Sequence, residues 1–176
     1  MKLLLLPVLL LFSSLLAGIF GVVHNQISYS VSPGYFHEFK FFQFGIESAL
    51  QNRIGASIVG YLGSWRMGFL IGLPIYIAAF FIKETRKFLH TFLVAAVIVV
   101  IVTLLSGLGA LGFSYRAFSL HTLPTWAVNI EVTDPLAFAR AGTMHNFSYL
   151  GGAVGMLVGL SYVILQVRKS NKRVVR

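Results

Sequence analysis

The sequence contains no cysteine, which excludes a disulfide scaffold, thiolate zinc, iron–sulfur ligation and cysteine catalysis. Charge is scarce: 11% of residues are charged and only five are acidic, against about 25% charged residues in a soluble domain. No carboxylate falls inside the long apolar runs, so a proton-coupled carrier lacks its usual relay group. No histidine lies mid-run either, which argues against a haem held between helices. Phosphate-loop, G-x-S-x-G and zinc-protease spacings are absent. Apolar residues dominate, at 57% of 176 positions. A chain this short cannot hide that much apolar surface in a soluble core, and it is far too hydrophobic to be disordered.

Four apolar runs approach the roughly 20 residues needed to cross a bilayer. They cover about 3–23, 54–82, 88–113 and 147–167, the second interrupted by Trp65-Arg66. We read the first as a retained helix rather than a signal peptide. Its apolar stretch exceeds the usual span of about 7–15 residues and no A-x-A site follows. The predicted fold is an all-α membrane protein forming one domain, a four-transmembrane-helix bundle with a small outer cap.

Basic residues set the expected orientation. Lys2, the 83–87 loop and the 168–176 tail together hold nine positive residues and one acid, Glu84. The 24–53 and 114–146 loops balance Lys40, Arg53, Arg116 and Arg140 against Glu38, Glu47, Glu131 and Asp134. The first set is expected in the cytoplasm of a bacterium, with the protein in its inner membrane, both termini inside and both long loops outside. The net charge of +9 is thus a topology signal, and nucleic acid is not an expected partner. The expected partners are the lipid bilayer and a membrane or periplasmic protein.

Each run carries a stripe of small residues that permits close helix approach. The second has Ala56, Gly60, Ser64, Gly68 and Gly72; the fourth has Gly151, Gly155 and Gly159. Ser13, Ala17 and Gly21 mark the first, and Ser106, Ala110 and Ser114 the third. One stripe per helix favours an intramolecular bundle over a homodimer.

The outer loops share a pattern. Ile27 to Val31 alternates apolar and polar residues before Ser32-Pro33, and Val128 to Val132 does the same before Asp134-Pro135. Period-two alternation predicts strands, and a capping residue followed by proline predicts a helix start. This suggests a tandem repeat whose two strands pair over the outer mouth as a short sheet. The Phe-rich stretch Tyr35 to Phe44 is expected to lie on the headgroups as an aromatic belt.

Helix rise places several polar groups at one depth. His24 stands about 33 Å above Lys2, His145 about 35 Å above Arg168, and Arg66 about 26 Å above Lys83. His24, His145 and Glu47 are therefore candidate ligand or metal-binding residues, supported by Tyr35, Phe36, Arg66, Asn146 and Tyr149. Two histidines and a carboxylate suit a divalent metal, the one cofactor this constellation suggests, though no close ligand spacing accompanies them. The alternative is that both histidines are interfacial caps. His90, three residues after Lys87, is expected at the opposite interface.

The segment His24-Asn25-Gln26-Ile27-Ser28-Tyr29-Ser30-Val31-Ser32-Pro33-Gly34-Tyr35-Phe36 and the later His145-Asn146-Phe147-Ser148-Tyr149 resemble those of a family of small, uncharacterised multi-pass bacterial membrane proteins. That family carries an H-x-Q-[IV]-x-Y-x-[IV]-S-P-x-Y-F segment after its first transmembrane helix. Gly34 stands where an acidic residue is more usual. The resemblance implies no defined activity; it groups His24, Tyr35, Phe36, His145, Asn146 and Tyr149 as one outward-facing constellation.

The expected function is that of an integral membrane protein binding a partner, lipid or small ligand through a polar and aromatic site at the outer membrane edge. One alternative is a metal- or cofactor-dependent membrane enzyme with a periplasm-facing His/Glu site. Another is a small transporter or channel subunit, which requires a continuous polar path past Arg66.

Overall fold

A computed structural model describes residues 2–128 and 131–172. Among these described residues four helices are long and apolar enough to cross a membrane. They are α1 (Lys2–Val31), α4 (Arg53–Ala79), α5 (Thr85–Ala117) and α7 (Pro135–Lys172). Three short ones lie between them: α2 (Pro33–Tyr35), α3 (Phe41–Phe44) and α6 (Thr125–Val128). A π-helical turn, Phe36–Lys40, joins α2 to α3, and a 3-10 turn, Ser48–Leu50, precedes α4. The fold is all-α, and among the described residues there is no strand.

The expected sheet cap is therefore corrected. Residues 27–31 continue α1 as helix, and Val128 ends α6; Asn129 and Ile130 of the second expected strand lie outside the described residues. The physical reason is visible in the first segment. Ser28 and Ser32 are both alternate in a strand and four residues apart, and four-residue spacing is equally a helical face. Burial of Ser28 at 0% exposure beneath α7 selects the helix. With it goes the main support for a tandem repeat.

The helix starts read from Ser32-Pro33 and Asp134-Pro135 are present. The Ser32 hydroxyl accepts from the Tyr35 amide at 3.1 Å, and the Asp134 carboxylate accepts from the Ala137 amide at 2.9 Å. Asn52 caps α4 in the same way, at 2.7 Å from the Ile54 amide. Such caps satisfy amides that have no intrahelical acceptor. Because α1 runs on to Val31 and α7 starts at Pro135, both helices reach well past the apolar runs. His24 and His145 therefore sit within helices, not at their ends.

The long helices pair as two hairpins, α1 with α4 and α5 with α7. The small-residue stripes are the seams. A Cβ on Gly21 would overlap the Gly60 carbonyl, and one on Gly68 would overlap the Ser13 carbonyl. In the second hairpin a Cβ on Gly151 would come within 2.6 Å of Ser106, and one on Gly155 within 3.0 Å of the Val99 carbonyl oxygen. At one end the hairpins are joined by a core of Leu9, Ile75, Tyr76, Phe88, Phe92 and Val163. There Lys2 Nζ donates to the Phe80 and Ile82 carbonyls, and Tyr76 donates to the Lys2 carbonyl at 2.8 Å. A cation just past the C-terminus of α4 suits the negative end of that helix. At the other end a second cluster, including Tyr35, Phe36, Phe41, Val59 and Phe138, forms the cap.

Candidate functional site

Two helices bring the site's histidines together. His24 on α1 and His145 on α7 are 4% and 7% exposed, with ring centroids 4.6 Å apart and planes at 84°. Their partners are exchanged. His24 Nε2 lies 2.9 Å from Ser148 Oγ of α7, and His145 Nε2 lies 3.0 Å from Ser28 Oγ of α1. His24 Nδ1 is 3.3 Å from Asn25 Oδ1, and the Asn25 amide donates to the Ala56 carbonyl of α4 at 3.0 Å. Three long helices are thus tied at one level by polar bonds sealed from solvent.

The cap closes over this pair. Tyr35 stacks on His145 at 4.9 Å between centroids, and Phe36 stands 6.3 Å away. Both are buried, as is Phe41, whereas Phe39 and Phe42 are exposed. The expected aromatic belt is thus divided: half of it plugs the end of the bundle. The two long loops meet where Glu38 accepts from the Thr133 amide at 2.8 Å.

Lys40, at the end of the π-helical turn, is only 8% exposed. Its ammonium donates to Gln43 Oε1 at 2.9 Å and lies 4.6 Å from the centre of the Phe39 ring and 5.6 Å from that of Tyr35. Burial lowers the pKa of Lys40 below the ordinary lysine value. Burial, followed by the neighbouring Tyr149, pushes the Tyr35 hydroxyl upward.

Beneath the histidines a cavity of about 120 Å³ separates the two hairpins. Its capped end is lined by His24, Asn25, Lys40, His145, Ser148 and Tyr149. Its far end reaches Ser13, Gly72, Ile75 and Phe92. Eleven residues of α1 separate Ser13 from His24, or about 17 Å of helix rise. The walls between are apolar apart from Ser64 and Thr103, and the Thr103 hydroxyl is turned back to the Val99 carbonyl at 2.7 Å.

Of the residues expected here, His24, His145, Tyr35 and Phe36 come together, and Tyr149 lines the cavity while half exposed. Glu47, Arg66 and Asn146 do not join them. Glu47 is exposed ahead of the 3-10 turn, because the chain between α3 and α4 carries it outward. Arg66 is exposed with its guanidinium 5.6 Å from the Trp65 ring, since helical spacing sets it opposite the glycine stripe that faces α1. Asn146 is exposed, one position past the buried face of α7. Among the described residues no three His, Asp or Glu side chains gather as a metal-binding group.

Ser28, Ser148, Asn25 and Lys40 were not among the expected residues. A signal existed for the serines. Each buried histidine opens a His-Asn dipeptide with a serine three or four residues on, which is one helical turn. Lys40 gives no such sign among its phenylalanines. Comparison with known proteins finds no matching family model, no matching curated protein and no matching solved structure.

Proposed function

We propose that this chain is a multi-pass membrane protein that binds one amphiphilic, lipid-like molecule between its two hairpins, with the polar end of that molecule beneath the cap. The observation carrying this reading is the cavity itself. It is a narrow, mainly apolar slot with its histidines, asparagine and lysine gathered at the capped end; of the serines and threonine further along, Ser13 and Thr103 turn their hydroxyls back to their own helices, which leaves the shape and polarity of a single acyl or isoprenoid chain with a head. Ligand sites are commonly apolar clefts with a few placed polar groups, often between helices of a bundle. The expected resemblance to small multi-pass bacterial membrane proteins is compatible with this reading and adds no activity to it.

The basic residues at 2, 83–87 and 168–176 favour an orientation with the end of the bundle that carries them in the cytoplasm of a bacterium and the cap on the outer side of the inner membrane. A transporter reading is less favoured, because Phe88, Phe92 and Ile75 close the cytoplasmic end of the slot with apolar packing. A metal-dependent enzyme is less favoured because both imidazole Nε2 atoms already face serine hydroxyls and Glu47 stands apart.

Native mass spectrometry of the full chain, purified in a neutral detergent, tests the reading. One hydrophobic molecule per chain is expected to be retained. Gly63 and Gly152 line the slot, and a Cβ on either makes only ordinary contacts, at 3.6 and 3.8 Å. Gly63→Leu and Gly152→Leu are expected to fold and to lose the adduct. An empty wild-type protein, or an adduct that survives both substitutions, overturns the proposal.

A further inference from the structure

Resting on that reading, we propose that the bound amphiphile carries an anionic head, a carboxylate or a phosphate ester, with Lys40 as its counter-ion.

Lys40 lines the capped end of the slot with only 8% of its surface exposed, and its ammonium, bonded to the exposed Gln43, is part-buried. Among the described residues no carboxylate lies within ion-pair distance of it. The acids nearest in sequence are otherwise placed: Glu38 accepts from the Thr133 amide, and Glu47 is exposed. Of the three N–H donors of the ammonium, one has a protein acceptor, the neutral Gln43 amide. The Phe39 and Tyr35 ring faces supply further attraction but no full charge. A buried cation left without a counter-charge is costly, and an anion in the slot removes that cost.

The other polar groups at this end cannot take that part. Both imidazoles are engaged with serines across the helix pair, and Asn25 is engaged with α4. Their bonds hold the hairpins together. Lys40 and Tyr149 both line the capped end of the slot, and both side chains carry donors. Donors and positive charge select an acceptor head with negative charge, and the length of the slot selects a single chain.

The experiment compares three probes sharing one C18 tail: oleate, oleyl phosphate and oleyl alcohol. Each is titrated into the full chain in a neutral detergent and followed by native mass spectrometry. The two anions are expected to bind at least about tenfold more tightly than the alcohol. Lys40→Gln is expected to bring them down to the alcohol's affinity, and Lys40→Arg is expected to keep the preference. Which anion binds better distinguishes a fatty-acid carboxylate from a lipid phosphate. Equal binding of alcohol and anions, or a preference that survives Lys40→Gln, overturns the anionic head while the slot reading stands. Failure of all three probes to bind, or binding undiminished in Gly152→Leu, overturns the slot reading and this inference with it.

Discussion

His24 and His145, 121 positions apart in the chain, meet edge to face at 4.6 Å, and each is hydrogen-bonded to a serine of the other's helix. The exchange makes one polar clamp between the hairpins out of four side chains. Ser28→Ala and Ser148→Ala each leave a buried imidazole nitrogen without its partner, an effect of about 1–3 kcal/mol. Thermal unfolding in detergent is expected to show losses of that size. The double variant is expected to depart from additivity, because the two rings touch.

The glycine seams give a graded prediction. Gly60→Ala forces α1 and α4 apart, since its Cβ would overlap the Gly21 backbone. A destabilisation of about 1–3 kcal/mol follows from overpacking. Gly109→Ala meets nothing within 4 Å and gains helix propensity worth up to about 1 kcal/mol. Melting curves of the two variants should move in opposite directions.

Lys40 sets a pH dependence whose sign is fixed by its burial. Its folded value lies below that of the unfolded chain, so the folded protein releases this proton first as pH rises. Stability attributable to Lys40 therefore increases as pH rises through the folded value, and levels off above the ordinary value of about 10.5. Unfolding of the wild type and of Lys40→Met, compared from neutral to alkaline pH, should differ by that upward slope, and an added anionic amphiphile should flatten it.

Topology is directly testable because the chain has no cysteine of its own. Glu47→Cys and Glu84→Cys place single thiols at exposed positions in loops at opposite ends of α4. In intact cells a membrane-impermeant maleimide is expected to label the first and spare the second. The reverse pattern would invert the orientation proposed above.

Arg66 is exposed on α4, thirteen residues from either helix terminus, or about 20 Å from each by helix rise. An arginine facing lipid at such depth costs up to about 3 kcal/mol on insertion scales, less with snorkelling. Arg66→Leu is accordingly expected to raise the melting temperature of the isolated protein. A lowered one would show that the guanidinium contributes to the fold.

The helical architecture was legible from the apolar runs, and the seams from four-residue spacing of small residues. Both are one-dimensional patterns that a helix turns directly into faces. His24 and His145 were legible because helix rise converts residue counts into depth. Depth alone does not give direction around the axis, and so Asn146 was grouped with them although helical phase turns it outward; Arg66 is turned outward too and, since Gly68 packs on Ser13 and Gly60 on Gly21, it also lies deeper than His24. The 27–31 alternation misled because one serine spacing fits two periods. Lys40 was illegible for another reason: its burial depends on how a π-helical turn folds the Phe-rich segment over the bundle end, a tertiary outcome that local composition does not encode.

The pairing of α1 with α4 and of α5 with α7 has a consequence for biosynthesis. The first hairpin emerges from the ribosome complete while α7 is still unmade, so the imidazole of His24 and the hydroxyl of Ser28 wait for partners on a helix made later. The slot gains its α7 wall only when that helix is made, and a molecule already lying against the first hairpin would be enclosed as α7 docks rather than admitted afterwards.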